Sequence, residues 1–268
     1  MRNLIISTML FAATSSFADF KNVEVSNFTG SYQKPDGTAT ASRLVVPESI
    51  TSTINISLKG VEDGYLLEYG DSEFHLKNPP AFIDDIETAN WSNINFKTES
   101  KTMSTSLTNF NSEVKGSRMA LKGLSGNCSL NRDHTDNYGL QILDACLTNS
   151  RFSISSLISN EISKAYDLLI DVPGMIGVNA TAVTIKNAKF SSKRNSFTFK
   201  GKVNLGISAN ITIEGKSNYE IDKNRVSVRI DKAKASFINI KKKLFEELEK
   251  SETDTLRVES PYIYIYLK

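Results

Sequence analysis

Val203-Asn-Leu205-Gly-Ile207-Ser-Ala209-Asn-Ile211-Thr-Ile213 alternates six apolar residues with polar or small ones. A period of two places all six on one side of an extended backbone, so the stretch reads as a long strand with one apolar face. The same pattern continues downstream. Tyr219-Glu-Ile221, the turn residues Asp222-Lys223-Asn224 and Val226-Ser-Val228-Arg-Ile230 read as an amphipathic hairpin. Upstream, Pro35-Asp36-Gly37 and Glu62-Asp63-Gly64 read as hairpin turns in which glycine supplies positive φ. A weak repeat links Leu107-Thr-Asn109 … Ser117-Arg-Met119-Ala-Leu121-Lys122-Gly123 to Ile185-Lys-Asn187 … Asn195-Ser-Phe197-Thr-Phe199-Lys200-Gly201. Duplication and the shared grammar of any β-meander both account for it. The predicted fold class is α+β, predominantly β: a long antiparallel curved sheet or groove built from β-meanders, with two amphipathic helices.

The first helix is predicted at about 153–170, from the spacing of Ile154, Leu157, Ile158, Ile162, Ala165 and Leu169. Ser153 serves as its N-cap and Pro173-Gly174 as its stop. The second is predicted at about 239–250, with Ile240, Leu244 and Leu248 on one face and Phe245 beside them. Lys241, Lys242 and Lys243 fall in its first turn, where the helix dipole disfavours cations; a solvated turn and an anion contact both fit. In the last strand, Tyr262, Tyr264 and Tyr266 alternate with Ile263, Ile265 and Leu267. With no charge on either side, it reads as a strand covered on both faces.

Residues 1–18, MRNLIISTMLFAATSSFA, carry a basic start, a short apolar run and small residues at Ser16 and Ala18. This is a Sec-type signal peptide, with cleavage expected after Ala18 and a periplasmic or secreted product. The remaining 19–268 read as one β-rich domain, with two similar halves at about 19–152 and 178–268 joined by a helix. Cys128 and Cys146 are the only cysteines. In an oxidising compartment they are expected to form a structural disulfide. Residues 178–268 hold 18 Lys and Arg against 10 Asp and Glu, although the whole chain is near neutral at +2. That basic half favours an anionic partner or solvates exposed strands.

Catalytic signatures are missing from the sequence. There is no G-x-S-x-G, and Ser112-Glu-Val-Lys115 lacks the S-D-N and K-T-G partners of its motif. The two histidines, His75 and His134, have no paired spacing for a metal. Asn131, Asp133, Thr135 and Asn137 alternate oxygens without the glycine and glutamate of a calcium loop. Basic residues without aromatic interleaving argue against nucleic acid. No cofactor and no enzymatic activity are expected.

In its signal peptide, its long strands and its near-terminal helix followed by a final strand (239–268), the chain resembles bacterial periplasmic tubular lipid-binding proteins. The LmeA-like family and the AsmA-like β-groove proteins are the nearest kinds. The resemblance covers the layout of about residues 45–268 and carries over no site residue. It implies phospholipid binding or transfer at the envelope without catalysis. On that reading Val203, Leu205, Ile207, Ile211 and Ile213 line the groove, Leu244, Phe245 and Leu248 close one end, and Lys241–Lys243 meet the head group. The other reading is a structural or adhesion-type β protein that binds protein or glycan partners and has no ligand cavity.

Overall fold

A computed structural model of the chain describes residues 22–46, 49–77, 85–99, 102–129, 138–161, 169 and 181–267. The signal segment, Pro173-Gly174 and the oxygen-rich loop 131–137 lie outside the described residues.

Sixteen strands form one open antiparallel sheet. In chain order they are β1 (Glu24–Gln33), β2 (Asp36–Val46), β3 (Ser49–Val61), β4 (Gly64–Tyr69), β5 (Ser72–Lys77), β6 (Ile86–Glu99), β7 (Thr102–Val114), β8 (Ser117–Ser129), β9 (Asn149–Ser159), β10 (Val183–Lys193), β11 (Ser196–Asn204), β12 (Ser208–Glu220), β13 (Arg225–Ala235), β14 (Ile238–Asn239), β15 (Leu256–Glu259) and β16 (Tyr262–Tyr266). Their spatial order is β15-β16-β13-β12-β11-β10-β9-β8-β7-β6-β1-β2-β3-β4-β5, with β14 beside β13. The sheet is a meander with two departures. β6 returns to pair with β1 after the β1–β5 unit, and β16 inserts between β13 and β15. Helix α1 spans Tyr138–Thr148 and α2 spans Lys241–Glu249.

Three local readings are corrected. Residues 149–159 form β9, which overturns the start of the helix expected at 153–170. Ile162 and Ala165 lie outside the described residues, Leu169 is helical, and the segment before β9, 138–148, is a helix the sequence reading missed. Ile154 and Leu157 share a face at helical spacing because the strand's alternation breaks between them, as shown below. The stretch 203–213 is two strands, not one. The chain reverses at Leu205-Gly206-Ile207, where the Leu205 N–H donates to the Ile207 carbonyl (3.0 Å) and Gly206 has φ +90°. Val203 then faces Ala209 across the hairpin, so the apolar residues keep one face despite the turn. Finally, β16 is paired on both edges but open above and below: Tyr262 is 37% and Ile265 40% exposed. Its tyrosines lie on the polar face, where the Arg225 guanidinium sits 4.0 Å from the Tyr264 ring centroid.

The densest core lies under α2. Leu169, Val203, Leu205, Ile211, Ala233, Ala235, Phe245 and Leu248 form one buried cluster on the apolar side of β10–β13. α1 lies at the opposite end of those strands. Its last carbonyls have no intrahelical donors. Ser217 Oγ donates to the Leu147 carbonyl (3.1 Å), as does Ser192, and the Asn195 N–H reaches the Thr148 carbonyl (3.3 Å). Cys146 of α1 is bonded to Cys128 of β8, with Cα atoms 4.8 Å apart. The disulfide and the serine caps therefore clasp α1 onto strands as far apart as β8 and β12. On the chain-entropy model, a closed loop of 18 residues stabilises by about 3 kcal/mol. The C128S/C146S double variant is expected to lose about that much in a denaturant titration, and reduction of the native chain should match it.

Candidate functional site

Side chains in a strand alternate faces, so inward residues normally fall at i and i+2. Eight neighbouring strands, β3-β2-β1-β6-β7-β8-β9-β10, break this rule at one level. There the inward residues fall at i and i+3, and two outward residues lie between them. The units are Thr51-Ser-Thr-Ile54, Ala41-Ser-Arg-Leu44, Val25-Ser-Asn-Phe28, Trp91-Ser-Asn-Ile94, Leu107-Thr-Asn-Phe110, Leu121-Lys-Gly-Leu124, Ile154-Ser-Ser-Leu157 and Ile185-Lys-Asn-Ala188. The register stacks them: Leu157 faces Leu121 and Ile185, Leu121 faces Phe110, and Phe110 faces Trp91.

On five of the eight strands the break carries left-handed backbone, and β2, β7 and β9 follow it without any. Asn27, Thr53, Asn93, Gly123 and Asn187 have φ between +51° and +62°, a conformation that glycine adopts freely and asparagine tolerates. An extra outward residue lengthens the polar face relative to the apolar one. By that geometry the strand is expected to bend toward its apolar side, and because most neighbouring breaks lie opposite one another the ladder keeps its one-to-one register through them. Repeated on eight strands at one level, the bends make a crease running across the sheet. The apolar side becomes a trough along the crease. At a strand spacing of about 4.8 Å, the creased region is on the order of 35 Å long.

A polar ladder on the outer face satisfies the backbone groups that the breaks release. The Asn27 N–H donates to Asn95 Oδ1 (2.8 Å), and Asn27 Nδ2 donates to Ser42 Oγ (3.0 Å). The Asn93 N–H donates to Thr29 Oγ1 (3.0 Å). Asn95 Nδ2 donates to Ser106 Oγ (3.1 Å), and Asn109 Nδ2 to Ser92 Oγ (3.3 Å). Further along the same face Lys186 lies opposite Lys202, and Lys189 opposite Lys200. Like charges directly across a ladder destabilise it. Lys202→Glu is expected to raise the unfolding free energy by roughly 0.5 kcal/mol, read from a denaturant titration.

Inside the trough, closure differs between the two halves. The residues expected to line a groove are brought together. Val203, Leu205, Ile211, Phe245 and Leu248 are buried, with Ile207, Ile213 and Leu244 packed against them. They meet beneath α2 as a sealed cluster; Leu205 is 1% exposed. Lys241–Lys243 open α2, and the Lys241 N–H is held by Asn239 Oδ1 (3.0 Å). Lys242 points outward and pairs with Glu246 at 3.7 Å. Asn239, Lys241, Lys242 and Phe245 share a shallow recess of about 510 Å³ with Glu246, Glu249 and Ser260.

The open part of the apolar face lies over β1 and β6–β9. Phe28, Trp91, Ile94, Phe96, Phe110, Leu121, Leu124 and Ile154 are all only half-buried there. Trp91 is the chain's single tryptophan, and its ring lies 5.5 Å from that of Phe28. Sequence reading missed this stripe because the i, i+3 break disguises each strand. The recurring apolar-polar-polar-apolar unit was its signal, and the 78-residue repeat around Leu107 and Ile185 was one instance.

Among the described residues, no group of three or more His, Cys, Asp or Glu is placed to hold a metal ion. Among them too, no helix is long and apolar enough to cross a membrane. Compared with known proteins, the chain matches no family model, no curated protein and no solved structure.

The crease has a stringent test at Gly123. A Cβ there would overlap Ser155 Oγ on β9 and lie 2.9 Å from Ser155 Cβ, at φ +62°. Gly70 shares the conformation (φ +56°) but has nothing within 4 Å. Gly70→Ala is expected to cost about 1 kcal/mol. Gly123→Ala is expected to cost at least about twice that, read from paired denaturant curves.

Proposed function

We propose that this chain is an exported, non-catalytic lipid-binding or lipid-transfer protein of the bacterial envelope, holding acyl chains in the creased trough. The observation that carries the reading is the apolar stripe from Phe28 to Ile154, continuous across five neighbouring strands and only half-buried except at Leu107. A contiguous apolar patch of that kind on a folded chain marks a ligand or interaction site. The size is appropriate. One leaflet of a bilayer is about 15 Å of hydrocarbon, so an acyl chain fits lengthwise within the creased region. The sealed cluster under α2 supplies the rigidity, while the open stripe supplies the contact. The disulfide suits an oxidising compartment such as the periplasm.

Trp91 gives a direct readout. A fatty acid brominated along its chain is expected to quench Trp91 fluorescence saturably, and Leu121→Asp or Leu124→Asp is expected to weaken binding about tenfold or more, since each sets a carboxylate in the apolar trough. Both positions are half-exposed, so the variants should keep the wild-type circular dichroism. Folded protein with no quenching at any lipid concentration would sink the lipid reading and favour a protein or glycan partner on the same stripe.

A further inference from the structure

An open sheet has two outer edges, and this one treats them differently. The β15 edge is occupied by its own chain. The Val258 N–H donates to Glu252 Oε1 (2.7 Å) and the Leu256 N–H to the Thr253 carbonyl (3.1 Å). The β5 edge has no such cover among the described residues: it pairs with β4 alone. All six of its residues are exposed, including Phe74 at 53% and Leu76 at 42%. Natural sheets normally blunt such an edge, because its free N–H and C=O groups template another strand.

The β5 sequence fits itself. Gly70 and Asp71 form the two-residue connection to β4, so the closing pair Tyr69–Ser72 exchanges both hydrogen bonds. Alternation then aims the main chain of Phe74 at β4 and that of Glu73, His75 and Lys77 outward. Two copies related by a two-fold axis at His75 would pair antiparallel. Glu73 would face Lys77 of the other copy, Phe74 would face Leu76, and His75 would face His75. Every charged cross-strand pair outside the axis is then opposite in sign, and every apolar residue meets an apolar one. Among the described residues Glu73 makes no ion pair, and Lys59, whose ammonium its charge favours, is hydrogen-bonded to Glu68 instead. Glu73 lies opposite Glu68 on β4, and Glu68 takes Lys59 at 2.6 Å. That hydrogen bond holds the Glu68 carboxyl below its usual range. Lys77 is only loosely engaged, 3.6 Å from Asp63 and 65% exposed.

We propose that the chain forms a homodimer by antiparallel β5–β5 pairing, joining two sheets and two apolar faces edge to edge. The assembly is closed, because the two-fold consumes the open edge of both copies. It stands independently of what the trough holds.

The test uses light scattering on the purified chain over a concentration series. The expected result is a mass that rises to twice the monomer. Glu73→Lys puts lysines at both ends of the pairing and Lys77→Glu puts glutamates there, so each is expected to raise the dimer dissociation constant about tenfold or more. Mixed one to one, the two variants are complementary and should form the heterodimer at wild-type affinity. His75→Pro, which removes an outward N–H without touching the β4 ladder, should dissociate the dimer while leaving the circular dichroism unchanged. A monomeric wild type at every concentration overturns the proposal. So do single variants that dimerise like wild type, or a mixture that stays monomeric while both variants are folded.

Discussion

The left-handed backbone at one level of the sheet is the constraint on which the rest depends. A flat sheet this wide would expose an unbroken apolar face on one side and a lysine- and asparagine-rich face on the other. Breaking the alternation once per strand bends each strand the same way, so the apolar residues line a concave surface. The cost is a row of backbone groups displaced from the ladder. Asn27, Asn93, Asn95 and Asn109, with the serine and threonine hydroxyls beside them, meet that cost through hydrogen bonds across β2, β1, β6 and β7. Asparagine suits both tasks, since it tolerates positive φ and offers donor and acceptor together.

The two helices act on the ends of the same strands. α2 seals the trough over β10–β13 by inserting Phe245 and Leu248 among Leu205, Ala233 and Ala235. α1 closes the other end, covalently through Cys128–Cys146 and by hydrogen bonds from Ser192 and Ser217 to its last carbonyls. The clamps fall mainly on the later strands, and the apolar surface of β1 and β6–β9 is left only half-buried between partners that hold the sheet in shape.

Period-two patterning made the β class legible, and the chain reverses at Glu62-Asp63 and Asp222-Lys223-Asn224 as their polar turn residues and Gly64 imply. The first hairpin instead turns one step earlier, at Lys34-Pro35, with Asp36 and Gly37 already paired in β2 and no positive φ at Gly37. The Cys128–Cys146 pairing followed from an even count in a chain expected to be exported, and α2 from its apolar spacing. Two failures share one cause. Ile154-Ser-Ser-Leu157 resembles a helix turn because a creased strand and a helix both put i and i+3 on one side. Leu205-Gly-Ile207 resembles mid-strand because its hairpin preserves the alternation through the reversal. In each case periodicity reports which face a side chain takes and says nothing of the path between. The lining stripe was unreadable for a further reason. Val203 and Leu205 look like Leu121 and Leu124 as letters, and only the placement of α2 decides which pair is sealed and which stays open.

The crease also makes the strands interchangeable. Within β6–β10 and within β1–β3 each strand carries the four-residue unit at the same height, with one step between β1 and β6 where Phe28 faces Ile94. Removing or adding a whole hairpin inside either run therefore brings together strands whose breaks already align. The trough is thus a ruler graduated in steps of two strands, about 10 Å each. Its span can be altered by gain or loss of one genetic segment without redesigning the surface it presents.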